Sequence, residues 1–527
     1  MGAVTDMTDH PDMNGAESLV RTLLAGGVDV CFTNPGTSEM HFVAALDKVP
    51  GMRCVLGLFE GVLTGAADGY YRMAGKPAST LLHLGPGLAN GLANLHNAKK
   101  ATSGVVNVVG EHTTYHIKHD APLTSDIEGV ARPMSHWVRT SLSSRDVSTD
   151  GAAAIEAANR APGQIATLIL PADTAWGPAD KVVTARPRAD LDKVTDSAVT
   201  GAAEMLTNGK PATLLLAGAA LTEKGLEIAG RIAGKTGCGL LSEGANARLA
   251  RGAGLPQVLR IPFVVDQAVE MLKGAGQLVL VGAKPPVAFF GYPGKPSLLY
   301  QEGTPMTRLA NADEDIVAAL EALEAELGAQ NSAMAHVAAT GRPDRPSGEP
   351  SLDNLAAVMG AMLPEGAIVV DESVTTGRGF FPATAGAPRH DWLNNRGGSI
   401  GFGMPVAIGA AIAAPDRQVI LLEGDGSGMY TVQSLWTMAR EKLNIVTIVF
   451  SNRIYKILRG ELTNVGVQNP GPRAIDMLTL DRPNLGWVDM AKGMGVPGEE
   501  VTDCEGLMRA IEAGIQTDGP YLIDLVM

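Results

Sequence analysis

Short β-rich apolar runs alternate with alanine-rich helical stretches along nearly the whole chain. This alternation is typical of parallel sheets covered by helices on both faces, because parallel neighbouring strands need a crossover between them. We therefore predict the α/β class. The chain of 527 residues is too long for one core, and its 63 glycines and 45% hydrophobic residues suit several compact domains.

Interruptions of this alternation divide the chain into three parts of similar size. A loop through Pro178 closes the first part, and a polar, proline-bearing linker at 331–350 precedes the last. We predict three doubly wound parallel-sheet domains, at residues 14–180, 191–330 and 351–527. Their clearest strands are expected at 79–84, 105–110, 165–170, 212–217, 277–281, 367–370, 419–422, 445–450 and 521–526.

Charge and composition exclude several classes of partner. The formal net charge is −14 without a concentrated basic stripe, which gives no reason to expect nucleic acid or an anionic membrane. No apolar run approaches the ~20 residues that cross a bilayer. Residues 1–13 are acidic where a secretory signal would be basic, so we expect a loose tail and a cytoplasmic protein. The cysteines form no CxxC pair, and we expect core or subsurface positions for Cys31, Cys54, Cys238 and Cys504.

The most informative stretch lies at 418–452. An apolar strand turns at Gly-Asp-Gly-Ser (424–427), a helix is predicted over 431–441, and a second strand ends just before Asn452. Both strands of a βαβ unit end at the same sheet edge, so Asp425 and Asn452 can face one ligand. Oxygen ligands beside glycine amides suit Mg²⁺ that bridges a diphosphate. Taken alone, the aspartate could equally cap a helix in an ordinary turn.

Gly-Asp-Gly-Ser followed by Ser-Asn one βαβ unit later resembles the cofactor signature of thiamine-diphosphate enzymes. The resemblance implies that Asp425, the Asn452 side chain and the Ile454 carbonyl hold Mg²⁺. The residues that it assigns to the diphosphate are Gly426, Ser427 and Tyr455.

Further segments of the last domain extend this resemblance. The glycine-rich segment 397–405 resembles the family segment that grips the aminopyrimidine ring, with Gly398 in it and Ile400 as the apolar wedge under the bent cofactor. Thr375, after a strand, is expected to contact phosphate. Alternatively, the segment 397–405 is a glycine loop that leads into an ordinary core helix. For Thr375 the alternative is a hydroxyl-rich turn of a common kind without a ligand.

Glu60 stands where an apolar strand predicted at 52–59 gives way to a helix, and we expect it to be buried. It matches the family glutamate that hydrogen bonds to the pyrimidine N1′ and promotes removal of the thiazolium C2 proton. Without the resemblance, an acid stabilised by the helix dipole would be the simpler interpretation. In the family this glutamate and the Gly-Asp-Gly motif come from different subunits, which implies a homodimer or homotetramer with active sites at the subunit interface.

The resemblance divides between acetolactate synthase large subunits and benzoylformate decarboxylase. Residues 34–37 resemble a loop of the decarboxylase whose last residue binds the substrate through a hydroxyl group. In this chain the corresponding residue is Thr37. His83 falls at the decarboxylase's catalytic histidine and is the candidate for proton relay, although alone it would be read as structural. His116 or His119, in the loop that also holds His112, is a further candidate for the active site.

Two departures argue against an aromatic substrate. Segment 285–292 resembles the decarboxylase segment that bears a second catalytic histidine, yet it holds none. Glu461 takes a position where the decarboxylase has an aromatic pocket residue.

The function we predict is a thiamine-diphosphate- and Mg²⁺-dependent carboligase or decarboxylase of the acetolactate-synthase type, acting on a small 2-oxo acid. The benzoylformate-decarboxylase type is the alternative. The 2-hydroxyacyl-CoA lyase or oxalyl-CoA decarboxylase type lacks a supporting nucleotide-binding signature, and no signature is specific enough to assert FAD. A non-catalytic cofactor-binding homologue would not need Glu60.

Overall fold

The computed structural model describes residues 13–527. The tail predicted at 1–13 therefore lies outside the described residues, apart from Met13. Within the described range, the chain forms three helix-covered sheets whose strands are parallel to their neighbours with one exception. The predicted α/β class with three sheet-based domains is confirmed. Each sheet with its helices is called the first, second or third domain, whereas the residue boundaries between domains stay a prediction.

The first domain is built on a six-stranded parallel sheet. Its strands are β1 (Val30–Thr33), β2 (Arg53–Leu56), β3 (Ala78–Leu82), β4 (Val105–Glu111), β5 (Trp137–Thr140) and β6 (Ile165–Pro171). Its helices are α1 (Gly15–Ala25), α2 (Met40–Lys48), α3 (Glu60–Ala74), α4 (Leu84–Ala101), α5 (Ile127–Ala131), α6 (Val147–Ala158) and α7 (Ala172–Trp176), with 3₁₀ turns at Thr37–Glu39 and Ile117–His119. The order β2-β1-β3-β4-β6-β5 places the carboxyl ends of β1, β3 and β4 side by side.

The second domain is built on a five-stranded parallel sheet in the order β10-β8-β7-β11-β12. Its strands are β7 (Ala212–Leu216), β8 (Gly239–Ser242), β10 (Leu259–Arg260), β11 (Gln277–Val281) and β12 (Met306–Ala310). Its helices are α8 (Asp196–Thr207), α9 (Glu223–Thr236), α10 (Val265–Gly274) and α11 (Ile316–Glu326), with a 3₁₀ turn at Gly218–Leu221. Strand β9 (Leu249–Arg251) leaves this domain and joins the third sheet.

The third domain holds a seven-stranded sheet in the order β17-β18-β16-β15-β13-β14-β9, in which β9 runs antiparallel to β14. Its other strands are β13 (Ile368–Glu372), β14 (His390–Asn394), β15 (Val419–Gly424), β16 (Ile445–Ser451), β17 (Gly498–Val501) and β18 (Tyr521–Val526). Its helices are α12 (Leu352–Met362), α13 (Phe380–Ala383), α14 (Gly403–Ala413), α15 (Asp425–Gly428), α16 (Ser434–Arg440), α17 (Lys456–Asn464), α18 (Pro472–Asp476), α19 (Trp487–Gly493) and α20 (Cys504–Gln516), with a 3₁₀ turn at Thr376–Gly379.

Most predicted strands are present, with small differences at their ends. The strand expected at 79–84 ends at Leu82, because helix α4 begins at Leu84. The strand expected at 52–59 is only β2, since residues 57–59 leave the sheet before α3 begins. Cys54 is exposed because it lies on this edge strand, whereas the other three cysteines are buried as expected. No helix within residues 13–527 is long and apolar enough to cross a membrane.

Helix α3 of the first domain packs directly on helix α14 of the third. Gly69 and Gly409 permit this close approach because neither has a Cβ atom. A Cβ atom at Gly69 would overlap the carbonyl oxygen of Val406, and one at Gly409 would overlap that of Ala66. The apolar side chains of both helices belong to one continuous core. The packing fixes the direction of two helices that each begin beside predicted cofactor-binding residues.

Candidate active site

The Gly-Asp-Gly-Ser motif lies at the carboxyl edge of the third sheet, where β15 and β16 end side by side. The buried carboxylate of Asp425 accepts the N–H of Gly426 at 2.8 Å and the N–H of Arg453 at 2.6 Å. This second bond joins the two loops that the sequence predicted to face one ligand. These loops, residues 424–428 and 451–455, are called the edge loops.

Oxygen atoms of the edge loops match the chemistry that Mg²⁺ requires. Burial raises the pKa of the Asp425 carboxyl to about 6, and the charge of Asp524 adds to the effect, so a bound cation would favour the ionised form. The Asn452 side-chain oxygen accepts the N–H of Ile454 at 3.0 Å. Carboxylate, amide and carbonyl oxygens each keep lone pairs for a metal. Asp425, Asn452 and Ile454 therefore fit a hard-cation site.

The three residues predicted to seat a diphosphate occupy the same edge. A Cβ added at Gly426 would overlap the ring of Tyr455, so this ring lies directly over the loop. The Ser427 hydroxyl donates to Glu423 at 2.6 Å, which binds it to a protein carboxyl. The roles of Gly426, Ser427 and Tyr455 at the diphosphate stay predictions.

The glycine-rich segment predicted to grip the pyrimidine ring reaches the same edge. The carbonyl of Gly401 accepts the hydroxyl of Thr431 at 3.2 Å, just beyond the first edge loop. Ile400 precedes it and is half-buried. Gly398 adopts φ +80°, and the ring of Phe289 packs where its side chain would be. Only glycine fits this position without strain.

A cavity of about 380 Å³ opens between the second and third domains. Thr375, the predicted phosphate contact, lines it together with Tyr292 and Glu461. Burial and the neighbouring Glu461 carboxylate raise the pKa of Tyr292 to about 12. The two sequence features that argue against an aromatic substrate, segment 285–292 and Glu461, thus meet in one cavity.

Two buried glutamates lie between the glycine-rich segment and the edge loops, and sequence reasoning missed both. Glu372 and Glu423 are register partners on β13 and β15. Glu372 accepts the N–H of Gly403 at 2.6 Å, and Glu423 accepts the hydroxyl of Ser427. Burial raises the pKa of both carboxyls, and their proximity raises that of Glu423 further. The sequence held one indication of this pair, because each of the two predicted apolar strands is followed by an acidic residue.

Glu60 begins helix α3 at the carboxyl edge of the first sheet and is buried, as expected. Asn90 donates to its carboxylate at 3.0 Å. Gly87 lies next to the other carboxylate oxygen of Glu60. A Cβ atom at position 87 would be only 3.0 Å from this oxygen, so a larger residue would crowd the carboxylate. Among residues 13–527, one amide thus holds the carboxylate and no cationic side chain pairs with it.

His83 directly follows strand β3 and lies against the loop at 34–37, which follows the neighbouring strand β1. A Cβ added at Gly36 would overlap its ring, so His83 packs against Gly36, the residue before the exposed Thr37. The Nδ1 atom of His83 lies 2.8 Å from a carboxylate oxygen of the buried Glu39, which also accepts the N–H of Gly36. Sequence reasoning missed Glu39, although its position three residues after Gly36 is the capping spacing.

The rings of the three loop histidines after strand β4 contact one another in tilted pairs. His116 is exposed, and its ring centroid lies 5.5 Å from that of His112 and 5.7 Å from that of His119. Among residues 13–527, no group of three or more His, Cys, Asp or Glu side chains could hold a metal ion. An active-site role of His116 stays a prediction.

No hydrogen bond in residues 13–527 joins Thr37, Glu60 or His83 to either edge loop. The first and third domains meet through the packing of α3 on α14 and also through helix α4. In helix α4, Asn94 donates to the Gly401 carbonyl at 3.1 Å and Asn97 donates to that of Ser399 at 2.8 Å.

Family models match both halves of this constellation. The model described as "Thiamine pyrophosphate enzyme, N-terminal TPP binding domain" matches residues 13–130, and the C-terminal TPP binding domain model matches residues 379–525. The first range holds Glu60 and His83, and the second holds both edge loops.

Curated relatives cover nearly the whole chain. A Mycobacterium tuberculosis protein, provisionally named acetolactate synthase large subunit IlvX, is 51% identical over 98% of this chain and 99% of its own length. Benzoylformate decarboxylase of Pseudomonas aeruginosa is 28% identical over 95% of this chain and 96% of its own. The solved structure of a thiamine diphosphate-dependent 4-hydroxybenzoylformate decarboxylase from Rhodococcus jostii RHA1 covers 98% of this chain and 99% of its own, with a TM-score of 0.87 at 24% identity, which shows a shared fold.

Proposed function

Because the chain belongs to the thiamine pyrophosphate enzyme family, with relatives of the acetolactate synthase and benzoylformate decarboxylase types, we propose that it makes or breaks the carbon–carbon bond next to the carbonyl of a small 2-oxo acid, with Mg²⁺ as the second cofactor. The observation that carries the Mg²⁺ assignment is the buried Asp425, bonded to Arg453 across two strand ends. That bond joins the two edge loops, which supports a shared metal-binding role for the oxygens of Asp425, Asn452 and Ile454.

Thiamine diphosphate, when bound, supplies a nucleophilic carbon that adds to the substrate carbonyl and accommodates the electrons left when CO₂ departs. Asp425, Asn452 and the Ile454 carbonyl would hold Mg²⁺ and through it the diphosphate, beside Gly426 and Tyr455. Thr375 and Ser427 would add hydroxyl contacts. The segment with Gly398 and Ile400 would position the aminopyrimidine ring.

The first-domain residues would handle protons. Glu60 is a buried carboxyl held by Asn90, and it would exchange a proton with the pyrimidine N1′. His83 presents its Nε2 atom for proton relay because its Nδ1 is bonded to Glu39. Thr37 follows Gly36, against which His83 packs, and it would donate its hydroxyl to the substrate. His116 is the more peripheral candidate.

A homodimer is the minimum active unit of this proposal, and a homotetramer is compatible with it. Within residues 13–527 of one chain, Glu60 makes no hydrogen bond to either edge loop, although cofactor activation needs both halves. A partner subunit would bring its Glu60 to the edge loops of the first, as the family resemblance implies.

A small aliphatic 2-oxo acid is the proposed substrate. The cavity that holds Thr375 is lined by charged side chains, among them Glu461, Lys295 and Lys456. Enclosing an unsubstituted phenyl ring there would desolvate these charges without pairing them.

The benzoylformate-decarboxylase type is the second candidate. The position of His83 beside Thr37 favours it, as does the 28% identical decarboxylase that aligns over nearly its entire length. Aromatic side chains at Phe289 and Phe290 also contact each other near Gly398.

Cofactor binding tests the proposal. The purified chain, stripped with a chelator, should bind thiamine diphosphate only when Mg²⁺ is present, as measured by titration calorimetry. The Asp425→Ala variant should lose this binding while its circular dichroism spectrum stays native, and Asp313→Ala, an exposed loop variant, should bind normally. Absence of Mg²⁺-dependent binding in the wild type would refute the proposal. Release of CO₂ from a panel of 2-oxo acids, with and without an acceptor aldehyde, would then distinguish decarboxylation from carboligation.

A further inference from the structure

A second cavity, of about 710 Å³, lies between the second and third domains. Its walls come mainly from residues 249–271, which include strands β9 and β10, and from residues 378–385 around helix α13. The apolar part of the wall is formed by Leu255, Val258, Ile261, Phe263, Met271 and Phe381. A cavity of this volume is within the range that holds a small organic ligand.

Arg251 lines this cavity with a charge that the protein does not pair. The residue is only 8% exposed, and among residues 13–527 its Nε and Nη1 atoms have no hydrogen-bond partner. Its guanidinium lies over the ring of Phe381, 3.4 Å from the centroid, and one nitrogen donates to the Phe381 carbonyl. Desolvation lowers the pKa of Arg251, and repulsion by Arg260 lowers it further. A buried cation in this condition is unfavourable unless an anion joins it.

Arg260 adds a second positive charge to the same wall. Its guanidinium lies 3.9 Å from the centroid of the Phe381 ring, and it donates to the side-chain oxygen of Asn394 at 3.3 Å. Asp371 acts electrostatically on both arginines, but its oxygens accept from the Ser373 hydroxyl at 2.5 Å and the Trp392 indole at 3.1 Å. One carboxylate near two arginines leaves a net positive charge at this wall.

We propose that this cavity binds a small organic anion, a phosphate ester or a carboxylate with an apolar group, at a site separate from the thiamine diphosphate site. The anionic group pairs with the guanidinium groups of Arg251 and Arg260, which both line the cavity, and the apolar group packs against Phe263 and Met271. This site is independent of the proposed function, because no predicted cofactor residue lines the cavity.

The site borders the candidate substrate cavity. Arg378, Phe263 and Val264 line both cavities. An anion bound at Arg251 is thus one side chain away from the space that Thr375 and Glu461 enclose, and its occupancy should change the KM of the substrate.

Calorimetry on the holoenzyme tests the proposal. Thiamine diphosphate and Mg²⁺ are kept saturating, and phenyl phosphate, benzoate, inorganic phosphate and phenol are titrated separately. We expect phenyl phosphate or benzoate to bind with one site per chain, inorganic phosphate to bind more weakly, and neutral phenol not to bind. The comparison of phenyl phosphate with benzoate identifies the preferred anionic group.

Variants of the cavity wall complete the experiment. Arg251→Met should weaken anion binding by about tenfold or more, the equivalent of one lost charged hydrogen bond. It should raise the thermal midpoint of the ligand-free protein, because it removes an unpaired buried charge, and leave cofactor affinity unchanged. Arg345→Met, which alters an exposed arginine paired with Glu512, is the matched control.

Three outcomes would overturn the proposal: no anion binds the wild-type holoenzyme, Arg251→Met binds as tightly as the wild type, or saturating thiamine diphosphate abolishes binding. If Arg251→Met fails to fold, Arg251→Lys decides, because its single ammonium keeps the charge and loses the planar fork. Weaker anion binding by Arg251→Lys supports the site, and unchanged binding refutes it.

Discussion

Glu39 holds His83 through a hydrogen bond of 2.8 Å between a carboxylate oxygen and Nδ1. The same oxygen accepts the N–H of Gly36 at 2.7 Å, so it is an acceptor and Nδ1 is the donor. In the tautomer that carries its proton on Nδ1, the Nε2 atom keeps a lone pair that can accept a proton. The proton relay that we propose for His83 would use this Nε2 atom.

The first prediction concerns this pair. His83→Ala should slow turnover by about 10², the usual scale of acid–base catalysis. Glu39→Gln should slow it less and alter the pH profile of kcat, since an amide can donate as well as accept and no longer fixes the tautomer. Glu324→Gln, a buried glutamate of the second domain, is the control and should be active. An unchanged rate in His83→Ala would return this residue to a structural role.

The second prediction concerns Glu60 and cofactor activation. Glu60→Gln keeps the size of the side chain and an acceptor for Asn90, but it cannot transfer a proton. The variant should bind thiamine diphosphate and Mg²⁺, whereas hydrogen–deuterium exchange at the thiazolium C2 should fall by orders of magnitude, as read by acid quench and NMR. Glu17→Gln is a matched control, because Glu17 is 7% and Glu60 8% exposed in the same domain. Equal exchange in Glu60→Gln and the wild type would remove Glu60 from the mechanism.

The third prediction concerns substrate choice. Small aliphatic 2-oxo acids should have a higher kcat/KM than benzoylformate, because the cavity beside Thr375 contains Glu461 and Tyr292 rather than a histidine. Glu461→Leu should shift the ratio of the two values toward benzoylformate by about tenfold, because it removes a carboxylate that a phenyl ring would desolvate. Steady-state CO₂ release measures both. Benzoylformate turned over faster by the wild type would instead support the decarboxylase type.

The fourth prediction concerns pH and His390. Burial lowers the pKa of His390 to about 4, and repulsion by Arg251 adds to this effect beside the opposed charges of Asp391 and Arg417. In the unfolded chain His390 takes up a proton near pH 6.5, whereas in the folded chain it does so only near pH 4. The free energy of unfolding is therefore unaffected by His390 above pH 6.5. It falls by up to about 3 kcal/mol as the pH drops from 6.5 to 4.

Thermal unfolding measured at neutral pH and at about pH 5 checks this effect. The midpoint should fall less in His390→Gln than in the wild type, because glutamine does not titrate. His41→Gln, which changes an exposed histidine, should behave as the wild type. An equal fall in all three proteins would show that other groups cause the acid sensitivity.

Local sequence determined the elements and the residues at their ends. The apolar strands before Asp425 and before Asn452 predicted a βαβ unit. A βαβ unit brings the carboxyl ends of its two strands to one edge of the sheet. The contact between the two edge loops therefore followed from the sequence pattern alone. Glu60 at the start of a helix was predicted to be buried for the same kind of reason, since an acid flanked by apolar residues at a strand end has no route to solvent.

Only the tertiary structure decided which distant side chains meet. The pairing of Glu39 with His83 depends on the lateral order of β1, β3 and β4, and that of Glu372 with Glu423 on the register of β13 with β15. Arg251 reaches the third sheet because β9 crosses from one domain to another. Strand order and register arise from packing between elements far apart in the chain, and such packing leaves no periodic signal in a single sequence.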